Sequence, residues 1–230
     1  MKTCSRAFFL FFFLFVPSLF AFDAKGRVRL NSPLPPPQIL DVPEKHRADC
    51  GKTKVSAKLQ VSAEGFVANA VVRLKGTFGE QKPEESKGEF ILDQRGCEFS
   101  PHVILIPKGA DLSILNSDGF LHNVRAFDEG TEMLFNDAMP KKGQVLKRRF
   151  EMPGRFLLRC GLHSWMHAFV IVREHPYYAV TDNDGNFTIR GIPKGKHRLE
   201  VWHETLGILE ADLSPETPSL ALTYPSPSTQ

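Results

Sequence analysis

Residues 155–173 read Arg155-Phe-Leu-Leu-Arg-Cys160-Gly-Leu-His163-Ser-Trp-Met166-His-Ala-Phe-Val-Ile-Val-Arg173. Two apolar runs, Arg155–Cys160 and His167–Arg173, flank a loop too short to hold a helix. The reading is strand, tight loop, strand, and the same pattern extends outward from it. Upstream lie Glu89–Asp93, His102–Pro107, Asp111–Asn116, Leu121–Phe127 and Gln144–Phe150, each short and bounded by Gly, Pro, Asn or Asp. Val55–Val61 and Val67–Leu74 flank a turn at Glu64-Gly65, and residues 76–88 form a polar loop. One helical turn is expected in Thr131–Met139, and no long helical period exists. Many short strands with regular turn signals predict an all-β sandwich or barrel.

Downstream, Tyr178-Ala-Val-Thr-Asp-Asn-Asp-Gly-Asn-Phe-Thr-Ile189 reads as strand, Asp184-Gly185 turn, strand. Gly191-Ile-Pro-Lys-Gly195 makes another turn before a strand at His197–His203. Upstream of the whole β region, residues 23–49 carry Pro33, Pro35, Pro36 and Pro37 and predict an extended leader over the surface.

The N-terminus reads as an address. Lys2 and Arg6 precede an apolar run from Ala7 to Phe20, and Ala21 is a small residue near a cut. This pattern predicts a secretory signal peptide over residues 1–22, with an uncleaved anchor as the alternative. Eight of the 19 Phe lie there, so the aromatic content overstates the core. The formal charge of +3 falls by two, to +1, when Lys2 and Arg6 go. That balance, with no basic run, argues against a nucleic-acid binder. No second long apolar stretch exists, so no stable membrane insertion is expected, and the protein is expected in the periplasm or secreted.

Three cysteines remain beyond Cys4: Cys50, Cys97 and Cys160. In an oxidising compartment the odd count leaves one unpaired. Cys50 and Cys97 are expected to form a disulfide. Cys160 sits among histidines, where a thiolate serves better as a metal ligand.

Cys160, His163 and Met166 place thiolate, imidazole and thioether on one loop. Asn116-Ser-Asp-Gly-Phe-Leu-His122-Asn-Val124 supplies a second imidazole, on a strand where His122, Val124 and Ala126 share a face. Two His, one Cys and a weak Met suit copper: the sulfurs favour Cu(I) and the imidazoles tolerate Cu(II). Zinc is the rival, but its sites rarely use Met and usually show paired ligand spacing. His102 and His167 lie nearby. His102 reads as a strand histidine capped by a polar neighbour, and His167 as a surface residue. No Ser-His-Asp set, paired-carboxylate motif or phosphate loop offers an enzyme.

Residues 88–173 resemble the cupredoxins, the type 1 blue copper proteins. The C-x-x-H-x-x-M loop and the N-x-D-x-x-x-H-N-V segment are like those of amicyanin. The resemblance implies a Greek-key β-sandwich binding one type 1 copper ion through His122, Cys160 and His163, with Met166 axial. It assigns Asn123 to bracing the ligand loop, and implies electron exit through His163 and a patch of Phe120, Leu162 and Trp165. Residues 179–203 resemble the second half of the small carboxypeptidase-regulatory or transthyretin-like β-sandwich, and Ala70-Val-Val-Arg-Leu74 resembles part of its first half. The expected organisation is therefore a signal peptide at 1–22 and a leader at 23–50. A regulatory-like module follows, split into 51–76 and 176–223, with a cupredoxin domain at 77–175 between the halves and a tail at 224–230; the alternative is two domains in tandem. The resemblance implies an electron shuttle with transient redox partners, such as a c-type cytochrome or a dehydrogenase. The alternative is a copper-binding accessory, sensing or storage module.

Overall fold

The computed structural model describes residues 21–78 and 89–226. Expectations for the signal peptide over 1–20, most of the 76–88 loop and the last four residues lie outside them. Among the described residues no helix is long and apolar enough to cross a membrane.

The strands in chain order are β1 (Ala21–Leu30), β2 (Ile39–Asp41), β3 (Thr53–Val55), β4 (Val71–Lys75), β5 (Phe90–Arg95), β6 (Glu98–Ser100), β7 (Val103–Pro107), β8 (Asp111–Asn116) and β9 (His122–Phe127). They continue as β10 (Met133–Met139), β11 (Gln144–Arg149), β12 (Gly154–Arg159), β13 (His167–Arg173), β14 (Tyr178–Val180), β15 (Asn186–Pro193), β16 (His197–His203), β17 (Gly207–Leu213) and β18 (Ser219–Tyr224). A 3₁₀ turn (Glu44–His46) and a one-turn helix α1 (Arg47–Cys50) lie between β2 and β3.

Two sandwiches result. One packs the sheet β15-β1-β18 against β14-β4-β16-β17. Its core holds Val28, Val72, Leu74, Ile189, Leu199, Val201 and Tyr224. The other packs β10-β9-β12-β13-β7 against β11-β8-β5-β6, around Leu92, Ile106, Ile114, Val124, Leu158, Val170 and Met166. The chain leaves the first sandwich at β4 and re-enters it at β14, which is the antiparallel neighbour of β4. Exit and entry therefore lie side by side, the geometry that lets one domain sit inside another. A smaller cluster of Val71, Val103 and Ile171, with Phe169, Tyr178 and Trp202 against it, joins the two.

Four expectations are corrected. Residues 23–30 are not surface leader: they belong to β1, the middle strand between β15 and parallel β18. Ala24, Val28 and Leu30 are buried, and the prolines that suggested a leader begin only after the strand ends. The expected boundary at residue 22 thus falls inside β1. Second, Thr131–Met139 carries no helical turn: Met133–Met139 is a strand antiparallel to β9, with its burial alternating along the chain. Third, Val55–Val61 extends only to Val55 as strand. Ser62 Oγ accepts from the amides of Glu64 and Phe66, and such local bonds compete with a ladder. Finally, the turn at Asp182–Gly185 does not close a hairpin, because β14 and β15 lie in different sheets. Asp182 Oδ1 accepts from the amides of Asp184 and Asn186. Gly185 has φ +70°, and a Cβ there would lie 2.5 Å from the Val28 carbonyl oxygen, so glycine is required.

Candidate metal centre

Three strands of the inserted sandwich aim the same kind of side chain at the same place. On β9, His122, Val124 and Ala126 face inward; on β12, Phe156 and Leu158 do, and Cys160 continues that face. On β13 the inward set is Ala168, Val170 and Val172, and Met166 precedes it in phase. β12 runs antiparallel to both β9 and β13. The start of β9, the end of β12 and the start of β13 therefore meet at one end of the core.

There the ligand atoms converge. Cys160 Sγ lies 3.5 Å from His163 Nδ1 and 3.8 Å from His122 Nδ1, and the two Nδ1 atoms are 3.1 Å apart. His122, Cys160, His163 and Met166 are all buried. Two backbone bonds tighten the loop, from the Cys160 amide to the Met166 carbonyl at 3.1 Å and from the Met166 amide to the His163 carbonyl at 2.9 Å. Asn123 Oδ1 accepts from the Gly161 amide at 2.6 Å, tying the loop to β9. A Cβ on Gly161 would sit 2.5 Å from that oxygen.

The electrostatics favour a ligating thiolate. Burial alone would raise the Cys160 thiol, but its interactions with the His122 and His163 rings and hydrogen bonds from the Asn123 and Leu162 amides pull it down to about 5. Burial opposes protonation of His122, while Cys160 and Asp118 push its pKa up. Asp118 Oδ2 lies 2.9 Å from His122 Nε2. The carboxylate can only accept, so Nε2 carries the proton and Nδ1 is left bare toward Cys160. Asp118 also accepts from the Gly96 and Cys97 amides, at 2.7 and 2.9 Å. Burial works against its ionisation, but the Cys97 amide, His122 and the Gly96 amide hold it below the ordinary carboxylate range.

Asp118 is the aspartate of the N-x-D-x-x-x-H-N-V segment, four residues before His122, yet sequence reasoning assigned it no role. His46 was missed as well. Its ring stands edge-on to His163 at 4.6 Å between centroids, and Trp165 lies 5.1 Å from His163 on another side. His163 is only 2% exposed, so it does not reach the surface through an apolar patch as expected. The segment carrying His46 roofs it. Cys50 and Cys97 form the disulfide that pins this roof, and their sulfurs lie within 4.8 Å of a His163 ring nitrogen. Of the expected patch, Leu162 is exposed, whereas Phe120 and Trp165 pack on the core.

His102 and His167 do not join the Cys160 cluster. Both contact Glu204 of the other sandwich, so His167 is turned inward rather than lying on the surface.

No family profile matches the chain, and no curated protein is recognisably similar to it. Among solved structures, a purple cupredoxin from Nitrosopumilus maritimus is 23% identical with a TM-score of 0.34, covering 37% of this chain and 100% of that one. A reduced amicyanin variant is 20% identical, TM-score 0.35, over 44% of this chain and 99% of that one. A copper-containing nitrite reductase from Thermus scotoductus SA-01 is 20% identical, TM-score 0.33, over 44% of this chain and 25% of that one. Likeness this partial carries no argument by itself.

Proposed function

We propose that this chain is an exported type 1 copper protein, cupredoxin-like in its inserted sandwich, that carries single electrons between redox partners. One observation bears the weight: Cys160 Sγ and the Nδ1 atoms of His122 and His163 meet within 3.8 Å of one another. The donor set fits copper, with a soft thiol already held toward its ionised form and an imidazole whose proton Asp118 keeps on the far nitrogen. Met166 completes the set as the weak ligand in this reading.

Bound copper would supply a reversible one-electron couple. The residues do the rest: three antiparallel strands hold the ligands, Asn123 keeps the loop in place, and the apolar core excludes water. Burial beneath His46 and Trp165 suits electron transfer better than substrate entry, so the reading is of a carrier and not a catalyst. The partners in this reading are larger redox proteins, such as a c-type cytochrome or a dehydrogenase, touched weakly and briefly. The apolar run at Ala7–Phe20 supports export, and so does the Cys50–Cys97 disulfide, since such bonds persist in oxidising compartments. The outer sandwich we read as a carboxypeptidase-regulatory-like module, on the motif at 179–203.

The roof over His163 favours a second reading, in which the site stores or senses copper without turnover. Copper-loaded protein is expected to absorb intensely in the visible from thiolate-to-copper charge transfer, and Cys160→Ser to abolish it. Reversible one-electron voltammetry then separates the readings. A blue protein that never cycles would support storage, and one that stays colourless with cupric salt under non-reducing conditions would sink the carrier reading.

A further inference from the structure

Outside the Cys160 cluster, a second group of ligating side chains gathers at the seam between the sandwiches. His102 precedes β7, His167 opens β13, and Glu204 lies in the turn between β16 and β17 of the other sandwich. We propose that His102, His167 and Glu204 form a second metal site, for a divalent first-row transition ion, that ties the two sandwiches together.

The geometry is that of a ligand set. His102 Nε2 contacts one oxygen of Glu204, and His167 Nε2 lies 3.0 Å from the other. The two imidazoles stand nearly perpendicular, at 89°, with centroids 4.9 Å apart. One ligand atom from each residue falls within 4.8 Å of the others. All three side chains are almost buried, with 7%, 10% and 12% of their surface exposed.

Hydrogen-bond accounting points to a cation. His167 Nδ1 lies 3.3 Å from the Trp165 carbonyl oxygen, which can only accept. The Glu204 carboxylate at Nε2 also only accepts, so the single proton of a neutral His167 ring cannot serve both and one ring nitrogen faces an acceptor bare. Two acceptors facing each other in a buried seam call for positive charge, on the ring or between ring and carboxylate. A metal ion supplies it, and a ring N–H given to a backbone carbonyl is the usual support for a ligating histidine. Nδ1 of His102 has no hydrogen-bond partner, so a metal at Nε2 would leave that ring's N–H without an acceptor, a cost the metal bond must offset. Among the described residues the ion-pair partners of Glu204 are these two imidazoles.

The donor types choose the ion. Two imidazoles and a carboxylate, without sulfur, suit Zn²⁺ or Cu²⁺ and not Cu(I). Three protein ligands leave a position for water. A cavity of about 320 Å³, lined by His102, Met166 and His167 among others, gives the ion a way in. The site shares no ligand with the Cys160 cluster, although Met166 and His167 are neighbours in the chain.

The test uses the full chain and Zn²⁺ alone as probe, counting bound ions after dialysis. Two ions are expected on the unaltered protein, and Glu204→Gln is expected to remove one. The same loss is expected when Glu204→Gln is placed in the Cys160→Ser background, which separates this site from the thiolate site. Should Glu204→Gln fail to fold, His102→Gln serves instead, because it leaves the carboxylate in place. If the Cys160 site takes no zinc, the unaltered chain binds one ion and Glu204→Gln none, and the second site still stands. Equal counts with and without the Glu204 carboxylate and the His102 imidazole would overturn it, leaving a protonated-histidine ion pair.

Discussion

Asp118 touches no candidate metal ligand except through one hydrogen bond, yet that bond decides which His122 nitrogen is bare. Asp118→Asn keeps the size of the side chain and its one oxygen can still accept from Gly96, while the Cys97 amide loses its acceptor. It removes the charge and lets the amide nitrogen face His122, which permits the wrong tautomer. Copper affinity is expected to fall about 10–100-fold, the usual effect of losing such a partner, measured by competition with a copper chelator. An unchanged affinity would mean that the Cys160 thiol alone orders the site. Cys160, His163 and Met166 were legible because a strand end with soft donors three residues apart has few other uses. Asp118 was not, because a turn aspartate looks the same whether its second oxygen faces water or an imidazole.

At the scale of elements, the segment from the 3₁₀ turn to α1 changes the site most. It is too short to be stable alone. What holds it is the Cys50–Cys97 bond, which closes a span of 47 residues. Replacing both cysteines by serine is expected to cost about 2–4 kcal/mol in stability, read from urea unfolding of the metal-free protein. The same change is expected to speed reaction of Cys160 with a bulky thiol reagent in the folded protein, since His46 loses its anchor. No change in that rate would show that the roof stands without the disulfide. The pairing itself could be read from cysteine counting. That it roofs His163 could not, because a proline-rich stretch with one histidine carries no periodicity to say where it lies. β1 was hidden for the same reason: its alternating Ala24, Val28 and Leu30 are few, and the prolines after it dominated the reading.

Across the whole molecule, the link between the sandwiches passes through His175, in the connection from β13 to β14. The residue is 1% exposed, its ring packs on Phe78 and Tyr178, and burial holds its pKa below 6.5. In the unfolded chain the same imidazole titrates near 6.5, so below that pH the unfolded state binds more protons than the folded one. His175 therefore lends stability that is intact above pH 6.5 and is lost as pH falls toward its folded pKa. His175→Gln is expected to flatten that part of the curve of unfolding free energy against pH. A parallel curve for the variant would place the proton uptake on another buried histidine, such as His203.

The all-β class, the disulfide partners and the soft-donor loop follow from the sequence by itself. They depend on local patterns: alternation with period two, turn residues, and donor spacing within a few positions. Only the tertiary structure decided that β4 and β14 are neighbours, that His46 lies over His163, and that Glu204 meets His102 and His167. Each joins residues far apart in the chain, and no local preference encodes such a meeting. It arises when two sandwiches bury Val71, Val103 and Ile171 against each other, and the polar groups caught at that seam must then satisfy one another.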